Sequence, residues 1–248
     1  MKLKNLEKKI KNIIINLYPL NKIYFLYKIK KLSKKKYYYA ENAEDVIINT
    51  LFNHRTDGYY IDVGCYHPVR GSLTYKLYNK GWRGVNIDVS SSSINLFNIA
   101  RPKDKNLNVG ITNNNGEDFY YQLGNINQGN SLKKYDNAEK IKIKLSTIDQ
   151  VITDLKIEKI DYINIDAEYR DFEALQGLSL SKVRPSLITI EDANNFDISN
   201  IINTNINKYL VERNYFLFSR TICTSFYIDN KFKDKLDNVL NTRYKISL

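Results

Sequence analysis

From Tyr37 onward, short runs rich in isoleucine, valine and tyrosine alternate with amphipathic stretches. Residues 42–52 place Ala43, Val46, Ile47, Thr50 and Leu51 along one side and predict a helix. Residues 58–64 predict a buried strand that ends on a glycine turn. Ser72 stands where it can cap a helix that reaches Asn79 and stops at Gly81. A second strand follows over 84–89, and the serine run 90–93 opens a helix that closes before Pro102. A third strand is predicted over 106–111, with extra strands over 119–123 and 141–145 around a polar loop. Thr147 or Ser146 caps a helix to Leu155. Then come a strand over 162–166, a helix over 171–178, a strand over 185–191, a helix over 198–213, and a hairpin from 215–219 and 224–229.

Alternation of helices with β-branched strands predicts a mostly parallel sheet covered on both faces, into which the hairpin inserts one antiparallel strand. Ligands of such open sheets bind beyond the carboxyl ends of the strands. Four acids fall at those ends: Asp62, Asp88, Asp166 and Glu191. One such acid reads as a helix cap or an acceptor for loop amides. Four at one rim are costly unless a ligand or ion compensates them. The turn after the first strand lacks the GxGxxG spacing, because the next glycine after Gly64 is Gly71. An acid just before the glycine also repels phosphate and suits a ligand whose near end is cationic. Asp88 is placed to accept hydrogen bonds from ribose hydroxyls. A nucleoside with an amino-acid or sulfonium end satisfies both demands.

Composition adds a division of the chain. With 248 residues, 43% hydrophobic and 26% charged, the chain can close one core of ordinary size. Two distant cysteines, Cys65 and Cys223, exclude a disulfide scaffold and a CxxC metal motif. Residues 1–36 hold twelve of the 38 basic residues, all lysines, and only one of the 27 acids, Glu7. That segment therefore carries the whole formal charge of +11, and residues 37–248 are balanced. Its longest lysine-free stretch, between Lys11 and Lys22, is ten residues and contains Pro19, too short to span a bilayer. No small-residue cleavage site follows its apolar clusters, so a cytoplasmic protein is expected. Three readings of the segment stand. It is a helical extension that packs on the domain or on a second copy in a homodimer. It is an amphipathic contact with the inner face of a membrane. Or it is an arm for nucleic acid, against which stands its lack of arginine.

Several segments together match a known family. They are Ile61-Asp62-Val63-Gly64-Cys65-Tyr66-His67-Pro68, Ser72-Leu73-Thr74-Tyr75 and Gly81-Trp82-Arg83-Gly84-Val85-Asn86-Ile87-Asp88. Arg101-Pro102-Lys103-Asp104, Ile165-Asp166-Ala167-Glu168, Glu173 to Leu178, Arg184-Pro185 and the entry segment from Ala40 to Asp45 complete the set. In this order, from residue 39 to about 230, the chain resembles the FkbM family of S-adenosylmethionine-dependent methyltransferases. The resemblance implies a Rossmann-like class I methyltransferase fold with a seven-stranded sheet. It also implies S-adenosylmethionine as donor, with Asp62 and Gly64 by its methionine portion and Cys65, Tyr66, Ser72 and Thr74 among the donor-binding residues. Asp88 would hold the ribose, Asn108 or Ile111 would lie beside the adenine, and Asp166 near the transferable methyl. Four positions depart from the family's habit: Ala43 and Tyr169 where glycine is usual, Leu73 where asparagine is common, and Val89 where proline is common.

Methyl transfer is an in-line displacement, and a sugar hydroxyl needs a base or a metal to react at neutral pH. His67 is the expected base, with Asp166, Glu168 and Glu191 as further catalytic residues, while His54 in a polar turn is read as structural. A divalent cation (magnesium or manganese) on Asp166, Glu191 and Asp192 is an alternative and is not favoured. The family implies O-methylation of a nucleotide-activated sugar or a surface-polysaccharide precursor. Two other classes compete with it. A nucleic-acid methyltransferase recruited by the lysines lacks an Asn-Pro-Pro-Tyr-like motif after the fourth strand. A non-catalytic binding module would have no need of the four acids. Deleting residues 1–36 is expected to leave donor affinity unchanged in calorimetry. Loss of binding would make that segment part of the active fold.

Overall fold

The computed structural model describes residues 38–123, 132, 134, 136, 138–192 and 197–244. The lysine-rich segment, and with it the second-copy, membrane and nucleic-acid readings, lies outside these residues. Helix α1 (Glu44–Leu51) precedes β1 (Tyr59–Val63), α2 (Tyr75–Asn79), β2 (Arg83–Asp88), α3 (Ser91–Ala100) and β3 (Lys105–Asn108). The chain then forms β4 (Gly110–Ile111), β5 (Gly116–Gln122), β6 (Glu139–Ser146), α4 (Ile148–Asp154), β7 (Tyr162–Ile165) and α5 (Asp171–Gln176). It continues through β8 (Leu187–Glu191), α6 (Ile198–Ile201), α7 (Asn205–Val211), β9 (Tyr215–Arg220), β10 (Thr224–Asp229) and α8 (Lys233–Tyr244). Seven strands make one sheet in the order β3-β2-β1-β7-β8-β10-β9. Neighbours pair in parallel except at β10, which runs antiparallel between β8 and β9. This is the Rossmann-like fold expected, and its strand order reverses between β1 and β7, the place where such sheets bind ligands.

The sheet has two unlike faces. Residues Ile61, Val85, Ile163 and Ile188, then Val63, Ile87, Ile165 and Ile190, pack on α4, α5 and α7 as an apolar face. On the opposite face successive layers change character toward the strands' carboxyl ends. Tyr60, Tyr162 and Leu187 lie under Ile48, Leu51, Phe52, Leu77 and Trp82. Two residues on, strand register aligns Asn106, Asn86, Asp62, Asn164 and Thr189 in one row across five strands. Two residues further come Asp88, Gly64, Asp166 and Glu191. Because side chains alternate with period two, all three layers share a face.

Asn86, Asp62, Asn164 and Thr189 in the middle row are buried, and side-chain hydrogen bonds join its neighbours on either side of the Asn86–Asp62 step. Asn86 donates to Asn106 (2.8 Å), Asn164 to Asp62 (2.9 Å) and Thr189 to Asn164 (2.8 Å). Arg101, with no exposed surface, closes it from below. Its guanidinium donates to Thr74 Oγ1 (2.7 Å), Ser72 Oγ (2.6 Å) and the Pro68 carbonyl, and Thr74 donates onward to Asp62 (2.6 Å). The rings of Phe97, Tyr75 and Tyr78 flank it at 4.9, 5.4 and 5.6 Å. Asp104 takes the Tyr60 hydroxyl (2.5 Å), the Gly84 amide (3.0 Å) and Asn86 (3.1 Å). Burial lifts the Asp62 carboxyl above the ordinary range, and the bonds from Thr74 and Asn164 and the Arg101 charge oppose that rise.

Several expectations change here. The first helix starts at Glu44, and its buried side is Glu44, Asp45, Ile48, Asn49 and Leu51, not the row that includes Ala43 and Val46. Two acids can be buried because they are bonded: Glu44 accepts the Thr221 hydroxyl (2.7 Å), and Asp45 accepts the Tyr39 amide (3.2 Å) and pairs with Lys76 (3.5 Å). Thr74, not Ser72, is the residue before α2, while Ser72 accepts the Tyr75 amide at 3.1 Å. The predicted strand 106–111 is two strands in different sheets, because β4 turns away to join β5 and β6. The predicted helix 198–213 is two short helices, and Thr204 caps the second through the Asn207 amide. Helix α8 was not foreseen. Ser90 and Thr147 cap α3 and α4 as expected, accepting the amides of Ser93 (3.3 Å) and Gln150 (3.0 Å). At the two positions where the family favours glycine the backbone is left-handed, with φ 64° at Ala43 and 74° at Tyr169.

Removing Arg101 leaves Thr74, Ser72 and the Pro68 carbonyl short of a donor and buried Asp62 without the nearby positive charge. Arg101→Met is expected to cost about 3–5 kcal/mol in urea unfolding. A loss under about 1 kcal/mol would show that the buried row stands without it.

Candidate active site

A cleft of about 260 Å³ opens over the carboxyl ends of β1, β2, β7 and β8, lined among others by Asp62, Gly64, Asp88, Asp166 and Glu191. Its floor is set by Gly64, whose φ is 73° and whose missing Cβ would stand 1.6 Å from the Asp166 carbonyl oxygen. No side chain fits there, so β1 and β7 can end against each other only with glycine. The Gly64 and Cys65 amides both reach the Ile87 carbonyl (2.9 and 3.1 Å), and Asp166 donates to Val63 (3.0 Å). Three strand ends are thereby bound into one rim.

The lining changes along the cleft. Val89, Val109, Ile111 and Leu132 make an apolar end. Asp88 follows, with one carboxylate oxygen accepting the Tyr66 amide and the other the Ser90 amide, both at 2.8 Å. Burial raises its pKa to about 6, against the pull of those two amides. Each carboxylate oxygen still has acceptor capacity for a ligand hydroxyl. Asp62 is only 2% exposed, and both its oxygens are engaged below the floor. At the far end Asp166 and Glu191 meet side chain to side chain. Burial and then the Glu191 and Asp171 charges lift the pKa of Asp166 well above the carboxylate range, and burial raises that of Glu191 as well. Asp171, on the first turn of α5, accepts the Ala167 amide (2.7 Å) and is raised to about 7, chiefly by burial.

Of the sequence-predicted residues, Asp62, Gly64, Cys65, Tyr66, Ser72, Asp88, Ile111, Asp166, Glu168 and Glu191 line the cleft. Thr74, Asn108, His67 and Asp192 do not. Thr74 lies beneath the floor in the Arg101 network, and Asn108 donates to the Asp88 and Val89 carbonyls (3.0 and 2.8 Å), fixing the end of β2. His67 accepts the Val69 and Arg70 amides on Nδ1 (3.1 and 3.0 Å). Burial, then the Arg70 and Arg101 charges, lower its pKa. A neutral ring accepting on Nδ1 carries its hydrogen on Nε2 and has no lone pair left to take a proton. His67 therefore holds its loop, and it does not line the cleft. His54, read as structural, bonds to Asn49 (2.5 Å).

Sequence reasoning missed Glu41, Asn164 and Leu132 in the lining, and Asp171 beside it. Asn164 had a signal: Asn-Ile-Asp closes both β2 (86–88) and β7 (164–166), repeating one polar parity. Asp171 had none, since only α5 folding back brings it near. Carboxylate oxygens of Asp166, Asp171 and Glu191 lie within 4.8 Å of one another, a set that could hold a cation. Asp171 thus stands where the sequence suggested Asp192.

The fold and cleft define an α/β enzyme that binds a nucleoside at the strand ends. The model of the methyltransferase FkbM domain matches residues 62–217, well over half of the chain, and the chain belongs to that family. No curated protein matches it in sequence. Solved structures similar to it include a TehB-like SAM-dependent methyltransferase from Corynebacterium glutamicum, at 11% identity and TM-score 0.41 over 84% of this chain and 96% of that one. Another is an O-methyltransferase from Bacillus cereus in complex with SAH, at 11% identity and TM-score 0.43 over 82% of this chain and 86% of that one. So distant a likeness decides nothing about the acceptor. As a methyltransferase of this family the protein takes S-adenosylmethionine as donor. The cleft suits it: an apolar end for a base, Asp88 for a diol, a glycine turn without phosphate-binding geometry, and acids for a cationic sulfonium.

Asp88→Ala is expected to weaken S-adenosylhomocysteine binding at least tenfold. In the wild type, affinity should fall as pH drops through about 6, because protonation removes an acceptor from Asp88. Calorimetry between pH 5 and 8 reads both, and a flat profile would remove Asp88 from the ribose.

Proposed function

We propose that the protein is an O-methyltransferase acting on a sugar hydroxyl, in a nucleotide-activated sugar or a surface-polysaccharide precursor. The observation that carries this reading is the Asp166–Glu191 pair, two carboxyls side by side in the lining of the donor cleft, both with pKa raised chiefly by burial. S-adenosylmethionine supplies, when bound, an electrophilic methyl carbon open to in-line attack. The chain's own residues do the rest. Val109, Ile111 and Leu132 offer an apolar wall, and Asp88 accepts from the ribose diol. Glu191 accepts the acceptor's hydroxyl and takes its proton as the new bond to oxygen forms. Its burial raises its pKa, which makes it a stronger base than an exposed carboxylate. Asp166 keeps the neighbouring proton, so two carboxylates need not be charged side by side.

Among the described residues no helix is long and apolar enough to cross a membrane. Contact of residues 1–36 with an inner membrane face, or with a second copy, remains part of this proposal on the strength of their lysines and apolar clusters alone.

The test is incubation with S-adenosylmethionine and a panel of nucleotide sugars, with mass spectrometry locating any added methyl. Transfer to oxygen is expected, with Glu191→Gln lowering kcat by roughly 10²–10⁴-fold at unchanged donor affinity. Exhaustive chelation should leave the rate intact. Activity that returns only with magnesium or manganese would replace the shared proton by a cation on Asp166, Asp171 and Glu191. A methyl placed on nitrogen or on nucleic acid would overturn the reading.

A further inference from the structure

A second hollow of about 180 Å³ adjoins the donor cleft and shares two of its walls, Glu168 and Glu191. Tyr169, Asp171, Phe172, Asp192 and Ile206 complete it. Its makeup is unlike the cleft's: two aromatic rings and an isoleucine face carboxyl groups. Phe172 is held edge-on against Tyr209 at 5.9 Å between ring centres, so that wall is rigid. Tyr169 is different. It is the second of two consecutive left-handed residues, after Glu168 at φ 48°, and its own φ is 74°. A bulky residue in that region is strained where glycine would be relaxed. Yet 51% of its surface is open to solvent, so burial returns little for the strain.

We propose that this hollow is the acceptor subsite and that Tyr169 sets its specificity, taking an uncharged, hydroxyl-rich ring that carries no phosphate of its own. Sugar rings present a C–H face that packs on an aromatic side chain, and hydroxyls that donate to carboxylate oxygens. Tyr169 and Phe172 offer the first, and Glu168, Asp171, Glu191 and Asp192 the second. A phosphate inside the same walls would meet carboxylates on several sides, so any diphosphate joined to the sugar stays outside. Glu191 borders both spaces, and a hydroxyl bonded to it therefore faces the donor cleft. This rests on the O-methyltransferase reading and adds the place and chemical class of its acceptor.

The test uses full-length protein loaded with S-adenosylhomocysteine. Saturation-transfer NMR is run with the methyl pyranosides of glucose, galactose, mannose and rhamnose, and with the 6-phosphates of the first three. Saturation of at least one uncharged ring is expected, with none of the phosphates saturated. The signal should fall at least tenfold in Tyr169→Gly and persist in Tyr169→Phe, with donor affinity unchanged in both. Tyr169→Gly should melt no lower than wild type, which separates a lost contact from a lost fold. Equal saturation in Tyr169→Gly, equal saturation of the phosphates, or none of any ring would overturn the proposal. Methyl transfer to a glycan with a KM indifferent to Tyr169→Gly would refute the subsite and leave the function standing. The expected saturation without any transfer would do the reverse.

Discussion

A buried guanidinium underlies this structure. Arg101 sits without solvent contact beneath a sheet face that carries Asp62, close to Asp104 in the turn before β3, and it donates to Thr74, Ser72 and the Pro68 carbonyl. A charge taken wholly out of water is tolerable only where such partners surround it. Here they come from the loop between β1 and α2, from α2's first residues and from the sheet itself. The requirement locks three stretches of chain into one geometry. A row of side-chain bonds then extends that geometry through Asn86, Asp62, Asn164 and Thr189, one residue per strand. Slipping any of these strands by one residue would turn its polar member into the apolar face.

The catalytic rim is the next layer on that same face. Gly64, Asp88, Asp166 and Glu191 follow the polar row by two residues each, so the cleft's carboxyls stand on a buried, hydrogen-bonded tier. Their chemistry separates by environment. Asp88 is bonded to two backbone amides, which oppose the burial that raises its pKa to about 6. Asp166 has carboxyls for neighbours, and burial with their charges raises its pKa well above the carboxylate range. One end of the cleft is thereby suited to hold hydroxyls, and the other to accept a proton from one.

Strain gathers around the mouth of the cleft. Ala43 before α1, Tyr66 after β1, and Glu168 and Tyr169 after β7 are all left-handed without being glycine. At Ala43 the strain is matched by Glu44 and Asp45, whose buried carboxyls tie the entry segment to Thr221, Tyr39 and Lys76. At Tyr169 no comparable burial exists, and the contrast is what directs attention to the acceptor side.

The order of strands and helices, and the four acids at the strand ends, were legible in the chain because each depends on local spacing. An apolar run with period two ends on a polar residue or glycine, and the parity of Asp62, Asp88 and Asp166 can be read directly. Helix α1 shows the limit of that reading: apolar residues suggested one face, and bonded acids put another inside. The chain's chemistry also pointed to His67, one of its two histidines. Two amides on Nδ1 removed it, a matter of how a loop closes and not of which residues it contains. The roles of Arg101 and Asp171, and the division of strand 106–111 between two sheets, came only with the folded molecule. Their contacts join residues dozens of positions apart, and no local pattern records which distant partner will satisfy a buried charge.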